Sequence, residues 1–133
     1  MVRNLLELTV AGGLLIAAVP GLAHHAFDAE YDRLKQREFK GTVTKVEWLN
    51  PHAHVYVDVI EPSGKMVNWE FELGSPNGLM RAGWTRYSLK KGDIVTVVGY
   101  LSKDGSYLAN ARNITLADGR RVFTGSSADF GKQ

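Results

Sequence analysis

No cysteine occurs among the 133 residues. Disulfides, thiolate metal sites, c-type haem attachment and cysteine nucleophiles are therefore excluded, and any bound metal must take nitrogen and oxygen ligands. A marked excess of one charge is missing too. The formal net charge of +2 is too slight to imply nucleic-acid binding by itself. Long apolar runs are almost absent. The single one, Leu8 to Val19, is shorter than the ~20 residues a spanning helix needs, and Pro20 ends it. Histidine is scarce as well: the chain has four, and they fall in two tight pairs, His24-His25 and His52-Ala53-His54.

The apolar run reads as the core of a signal peptide. Arg3 supplies a positive start, Thr9 is the only polar side chain between Leu8 and Val19, and Gly21 and Ala23 are small residues at the cleavage positions. Glu7 departs from the pattern. An uncleaved membrane anchor is the competing reading, and the short run disfavours it. The expectation is a signal peptide over residues 1–23, a periplasmic or secreted protein with no stable membrane span after processing, and a mature chain that begins at His24. Processing removes one Arg and one Glu, so the charge balance is unchanged.

The mature chain is long enough for one modest core. Residues 24–36 are polar with few apolar positions and predict an arm leading into a β-barrel domain over 37–123, with a disordered tail over 124–133. Thr42 to Trp48 alternates and is β-branched, which predicts a strand. Leu49-Asn50-Pro51 is a turn signal. From His52 to Ile60 the alternation resumes, with Val55, Val57 and Val59 on one face and His54, Tyr56 and Asp58 on the other. Glu61-Pro62-Ser63-Gly64 turns into a third strand, Met66 to Leu73, whose apolar face carries Val67, Trp69, Phe71 and Leu73. Ser75 is a good N-cap and Pro76 suits a first helical position, so a short helix is expected over Asn77 to Ala82, closed by Gly83. Strands follow over Ile94 to Tyr100 and Tyr107 to Leu116, then a short one through Phe123. Three strands, a helix and two more strands predict an all-β fold: a small five-stranded OB-like Greek-key barrel with one short helix between strands three and four.

The stretches HHAFDAEYD, GTVTKVEWLNPHAHVYVDV, WEFELGSPNGLMRAGW and SLKKGDIVTV resemble a family of small exported bacterial proteins classed as a domain of unknown function. The resemblance covers nearly all of the mature chain. It implies export and a compact β-barrel, and supplies no established activity, substrate or catalytic residue. Many relatives carry an aromatic residue in place of His54, so the resemblance favours His24, His25 and His52 as shared metal ligands and treats His54 as an addition.

A free amino-terminal His24 offers its α-amine and Nδ1 to one metal in a chelate ring. A third nitrogen from a strand histidine would complete the T-shaped arrangement known as a histidine brace. Cu(II) prefers tetragonal nitrogen and oxygen ligation, which makes copper the first expectation. Zinc is the second, because three nitrogens and a water make an open tetrahedral site. Asp28, Glu30 or Asp32 could add a carboxylate. His25 offers a competing mode, through the amine, a deprotonated backbone amide and its own imidazole. Against these stands the plain reading of solvated histidines beside a processing site, a turn-capping His52 and a His54 on the wet face of a sheet.

Other constellations carry less. Trp48, Tyr56 and Trp69 could make a stacking surface for nucleic acid or oligosaccharide, but Trp69 shares its face with Val67 and Phe71, so core packing is the better reading. Ser75 to Gly78 places backbone N–H groups at a helix start near Arg81 and Arg86, which a capped helix with solvated arginines explains as well. Glu70 and Glu72 share a face with Asn68 and read as ordinary exposed alternation. No catalytic residue is assigned, and Ser75 lacks a nucleophile elbow. The expected function is metal carriage, buffering or delivery. The alternative is a metal-free adaptor barrel that binds a protein or envelope component, and a copper oxidase or hydrolase on the same ligands ranks third.

Overall fold

The structure, a computed structural model, describes residues 20–125, with side chains from His25 onward except that of Thr124. The expected apolar run and all but the start of the expected tail lie outside these residues. The chain builds α1 (Pro20–Glu30), β1 (Tyr31–Glu47), β2 (His54–Ile60), β3 (Met66–Glu72), α2 (Pro76–Arg81), β4 (Ile94–Ser102), β5 (Leu108–Leu116) and β6 (Arg121–Thr124). The all-β expectation holds. The six strands form one sheet in the order β3-β2-β1-β4-β5-β6, and β3 pairs with β5 as well. That last pairing is parallel, with Glu72 opposite Asn110, and the other pairs are antiparallel.

The period-two patterns put the apolar residues where they were expected. Val55, Val57 and Val59 are buried, as are Val67, Trp69 and Phe71 from β3 and Val95 and Val97 from β4. Each such side chain stabilises the fold by roughly 1.5–3 kcal/mol when fully removed from water. Phe39 sits among them, 4.6 Å from the Trp69 ring centre and 5.0 Å from that of Phe71. Trp69 is thus a core residue and offers no stacking platform. Trp84 is also buried and meets Phe123 edge-on at 5.5 Å, sealing the core below α2.

Helix α2 lies one residue earlier than its sequence signals suggested. Ser75 caps it, its Oγ accepting the Gly78 N–H at 3.1 Å. Gly83 takes a φ of 92°, the left-handed conformation that ends a helix. The cap satisfies the Gly78 N–H, and Pro76 has no N–H to satisfy.

The entry to the domain departs from the expected arm over 24–36. Residues 20–30 form a helix, and β1 begins at Tyr31, well before the expected start at Thr42. The first half of β1 was hidden by composition: Asp32 to Glu38 is charged and polar apart from Leu34. It was hidden also by a break in register. Tyr31 pairs with Ser102 and Gln36 with Tyr100, so the intervening residues bulge outward and spoil the alternation. Pairing with β4 over Gln36 to Thr42 decides the conformation instead.

Candidate functional site

The β2–β3 hairpin sets the site. Its register puts His54 opposite Glu72, Tyr56 opposite Glu70 and Asp58 opposite Asn68. With the valines pointing inward, these side chains share the opposite face. His52 precedes β2 but keeps the same parity, because Ala53 is buried and exchanges backbone hydrogen bonds with Leu73 and Gly74. The imidazoles engage the carboxylates diagonally across the hairpin. Nδ1 of His52 lies 3.0 Å from Oε1 of Glu72, and Nδ1 of His54 lies 2.9 Å from Oε1 of Glu70. The second contact is close but misaligned for a hydrogen bond, so His54 Nδ1 is near its partner without donating to it.

Glu72 is the anchor of this patch. It is only 8% exposed, a rare setting for a carboxylate unless it is partnered. The Tyr31 hydroxyl donates to its Oε2 at 2.6 Å, and Asn110 Nδ2 reaches Oε1 at 3.4 Å. Beside it, the Tyr56 hydroxyl lies 3.2 Å from both Glu47 Oε2 and Glu70 Oε1. The sequence reading of Glu70 and Glu72 as exposed alternation is therefore corrected for Glu72. Its burial comes from β5, which brings Asn110 alongside, and from Tyr31, which arrives from the far end of β1.

Electrostatics follow from these contacts. The hydrogen bond to Glu72 raises the His52 pKa above its ordinary value, against the opposing effect of burial. Burial, and then the negative charge of Glu72, pushes the Tyr31 phenol far up, so it stays a hydrogen-bond donor at any ordinary pH. Tyr56 is pushed up to about 12, by burial first and then by Glu70 and Glu47. Glu30, the last residue of α1, is raised by burial and by the like charges of Glu72 and Asp104, partly offset by His52 and His54. The end of α1 therefore lies within the field of the histidine patch.

His52 and His54 come together on one face, each beside a carboxylate. His25 is exposed on α1, and the His24 side chain lies outside the described set. Of the expected extra carboxylates, Asp28 pairs with Arg33 at 2.6 Å and Asp32 accepts the Leu34 N–H at 2.9 Å, while Glu30 is exposed and within electrostatic reach of Glu72 and both strand histidines. Among the described residues, no group of three or more histidine, aspartate or glutamate side chains is arranged to hold a metal ion. None of the helices described is long and apolar enough to cross a membrane. Sequence reasoning missed Glu72 and Tyr31. A usable signal was present for the first: two histidines at i, i+2 before a tight turn, answered by two glutamates at i, i+2 after it, place the four on one face of a hairpin.

No curated protein and no solved structure matches the chain. A family model of unknown function matches residues 11–111, carrying the HHAF, NPHAH and ELGSPNG segments. On that match, the chain belongs to the family of unknown function DUF6152.

Proposed function

We propose that this protein is an exported metal carrier, with Cu(II) as its first cargo and Zn(II) as its second. The observation that carries the reading is the contact between Glu72 and Nδ1 of His52. A proton held on Nδ1 by a carboxylate leaves Nε2 of the neutral ring as the lone-pair nitrogen and makes it more basic, the arrangement common among metal-binding histidines. His54 supplies a second imidazole on the same face. Removal of residues 1–23 would give His24 a free α-amine, and α1 ends at Glu30, within electrostatic reach of Glu72, His52 and His54. These groups make a nitrogen-rich set of the kind Cu(II) favours. The pairings β1–β2, β2–β3, β3–β5, β5–β4 and β4–β1 support closure of an OB-like five-stranded barrel, with β6 as an added strand.

Intact-mass analysis of exported protein, combined with its metal content, tests the terminus and the cargo together. The expected result is a chain starting at His24 with one bound metal ion, and a copper spectrum with nitrogen ligation that fades in mild acid, because protons compete for imidazole and amine. A different first residue would remove the amine from the ligand set. A copper spectrum indistinguishable from that of copper in buffer would end the metal reading and leave the adaptor barrel in its place.

A further inference from the structure

Resting on that metal reading, we propose that Tyr31 and Glu72 couple the seating of α1 to the loading of His52, so that metal capture and helix docking reinforce one another. Tyr31 is the first residue after α1 and is only 2% exposed. Its ring packs on Phe27 of α1 at 5.2 Å, and Phe27 meets Tyr100 of β4 edge-on at 5.7 Å. The backbone holds the same end: Lys103 donates its N–H to the Glu30 carbonyl at 2.9 Å, and its ammonium donates to the Asp28 carbonyl. These contacts seat α1 against the β4–β5 turn.

The hydroxyl of Tyr31 then reaches through to the patch. It fixes Oε2 of Glu72 at 2.6 Å, while Oε1 of the same carboxylate faces His52 Nδ1 at 3.0 Å. One carboxylate thus spans from the helix to the strand histidine, with one oxygen for each. When the Tyr31 hydroxyl is in place, the carboxylate plane is set and so is the direction in which His52 presents Nε2. When Nε2 is held by a metal, the ring is fixed, Glu72 with it, and part of the ordering cost of Tyr31 is already met. Binding linkage makes the two effects equal in size. Tyr31 acts here as a positioning residue, since it touches no metal.

Tyr31→Phe is the test, since it keeps the ring beside Phe27 and removes only the hydroxyl. The exported, processed protein would be titrated with Cu(II) against a competing chelator, and hydrogen exchange of the amides of residues 28–31, whose helical acceptors survive processing, followed with and without Cu(II). In the wild type, Cu(II) should slow exchange in this segment severalfold. In Tyr31→Phe the Kd should rise by about tenfold, the usual scale for losing an outer partner of a metal-binding histidine, and the metal-dependent slowing should vanish. Faster exchange in metal-free Tyr31→Phe, with an undiminished metal-dependent slowing, would assign Tyr31 a structural role only and overturn the coupling. Wild-type binding with Tyr31→Phe unchanged in both readouts would overturn it too, while leaving the metal site standing. No Cu(II) binding by the wild type would overturn both. Should Tyr31→Phe fail to fold, Glu72→Gln, which keeps the shape and removes the charge, is expected to give the same paired loss, and retention of both effects would count against the proposal.

Discussion

Nδ1 of His52 stands 3.0 Å from Oε1 of Glu72, and this contact ties the proton affinity of the ring to a carboxylate that is almost fully buried. The folded-state pKa of His52 is raised above its ordinary value of 6.5. A group raised in this way stabilises the folded state fully below its unfolded pKa, and that contribution is lost as pH rises through the folded value. His52→Gln should therefore be less stable than wild type in mild acid, and the gap should close as pH rises past 6.5 and through the raised value. Urea unfolding of metal-free protein across that range checks it. A gap that widens with pH would contradict the assigned partner.

Glu30 is destabilising at neutral pH. Burial and the charges of Glu72 and Asp104 raise its pKa above 4.5, so its ionised form is disfavoured in the folded state. Its contribution is most favourable below the unfolded value and turns unfavourable as pH rises through the folded one. Glu30→Gln should raise the Tm of metal-free protein at pH 7, and the gain should disappear once pH falls below about 4.5. Thermal unfolding at the two pH values decides the matter.

His52 and His54 should differ as ligands. His52 is aligned by Glu72, whereas His54 lies near Glu70 without a hydrogen bond. His52→Ala should weaken Cu(II) binding by more than the roughly 10- to 100-fold that losing an outer partner costs, and His54→Ala should weaken it less. Neither should unfold the domain, because Val55, Val57 and Val59 occupy the opposite face of the same strand. Competition titration, with thermal unfolding as a control, compares them. Equal and negligible effects would reduce the pair to decoration on a wet face.

Gly41 should tolerate no side chain. A Cβ there would collide with the Asp58 carbonyl and come within 2.8 Å of Val57 Cγ1, where β1 pairs with β2. Gly41→Ala should cost about 3 kcal/mol, the upper range for overpacking. Gly64→Ala is the control: its φ of 86° is strained for alanine, but nothing lies within 4 Å, so about 1 kcal/mol is expected. Chemical denaturation of both variants measures the difference, and equal losses would place the crowding elsewhere.

Much of the fold was legible in local sequence. The valine alternation of β2, the apolar face of β3, the Ser75-Pro76 helix start and the Gly83 stop all report on nearest neighbours along the chain, and the structure keeps each of them. Trp69 was likewise assigned to the core by the company it keeps, and it is buried there. For the candidate site, the shared face of His52 and His54 followed from their spacing. The roles of Tyr31 and Glu72 did not.

By itself, then, the sequence determined which side chains face together on each strand, because strand geometry alternates whatever the rest of the chain does. Only the tertiary structure decided which of those faces meets water. Glu72 has the same parity as Glu70 and Asn68, yet it is buried, because β5 pairs with the end of β3 and Tyr31 arrives from 41 residues earlier in the chain to close over it. The start of β1 was decided the same way, by hydrogen bonds to β4 that outweigh a charged, helix-prone composition. Local pattern fixes orientation about the backbone. Burial, and with it the chemistry of a carboxylate or an imidazole, depends on segments that only the folded chain brings together.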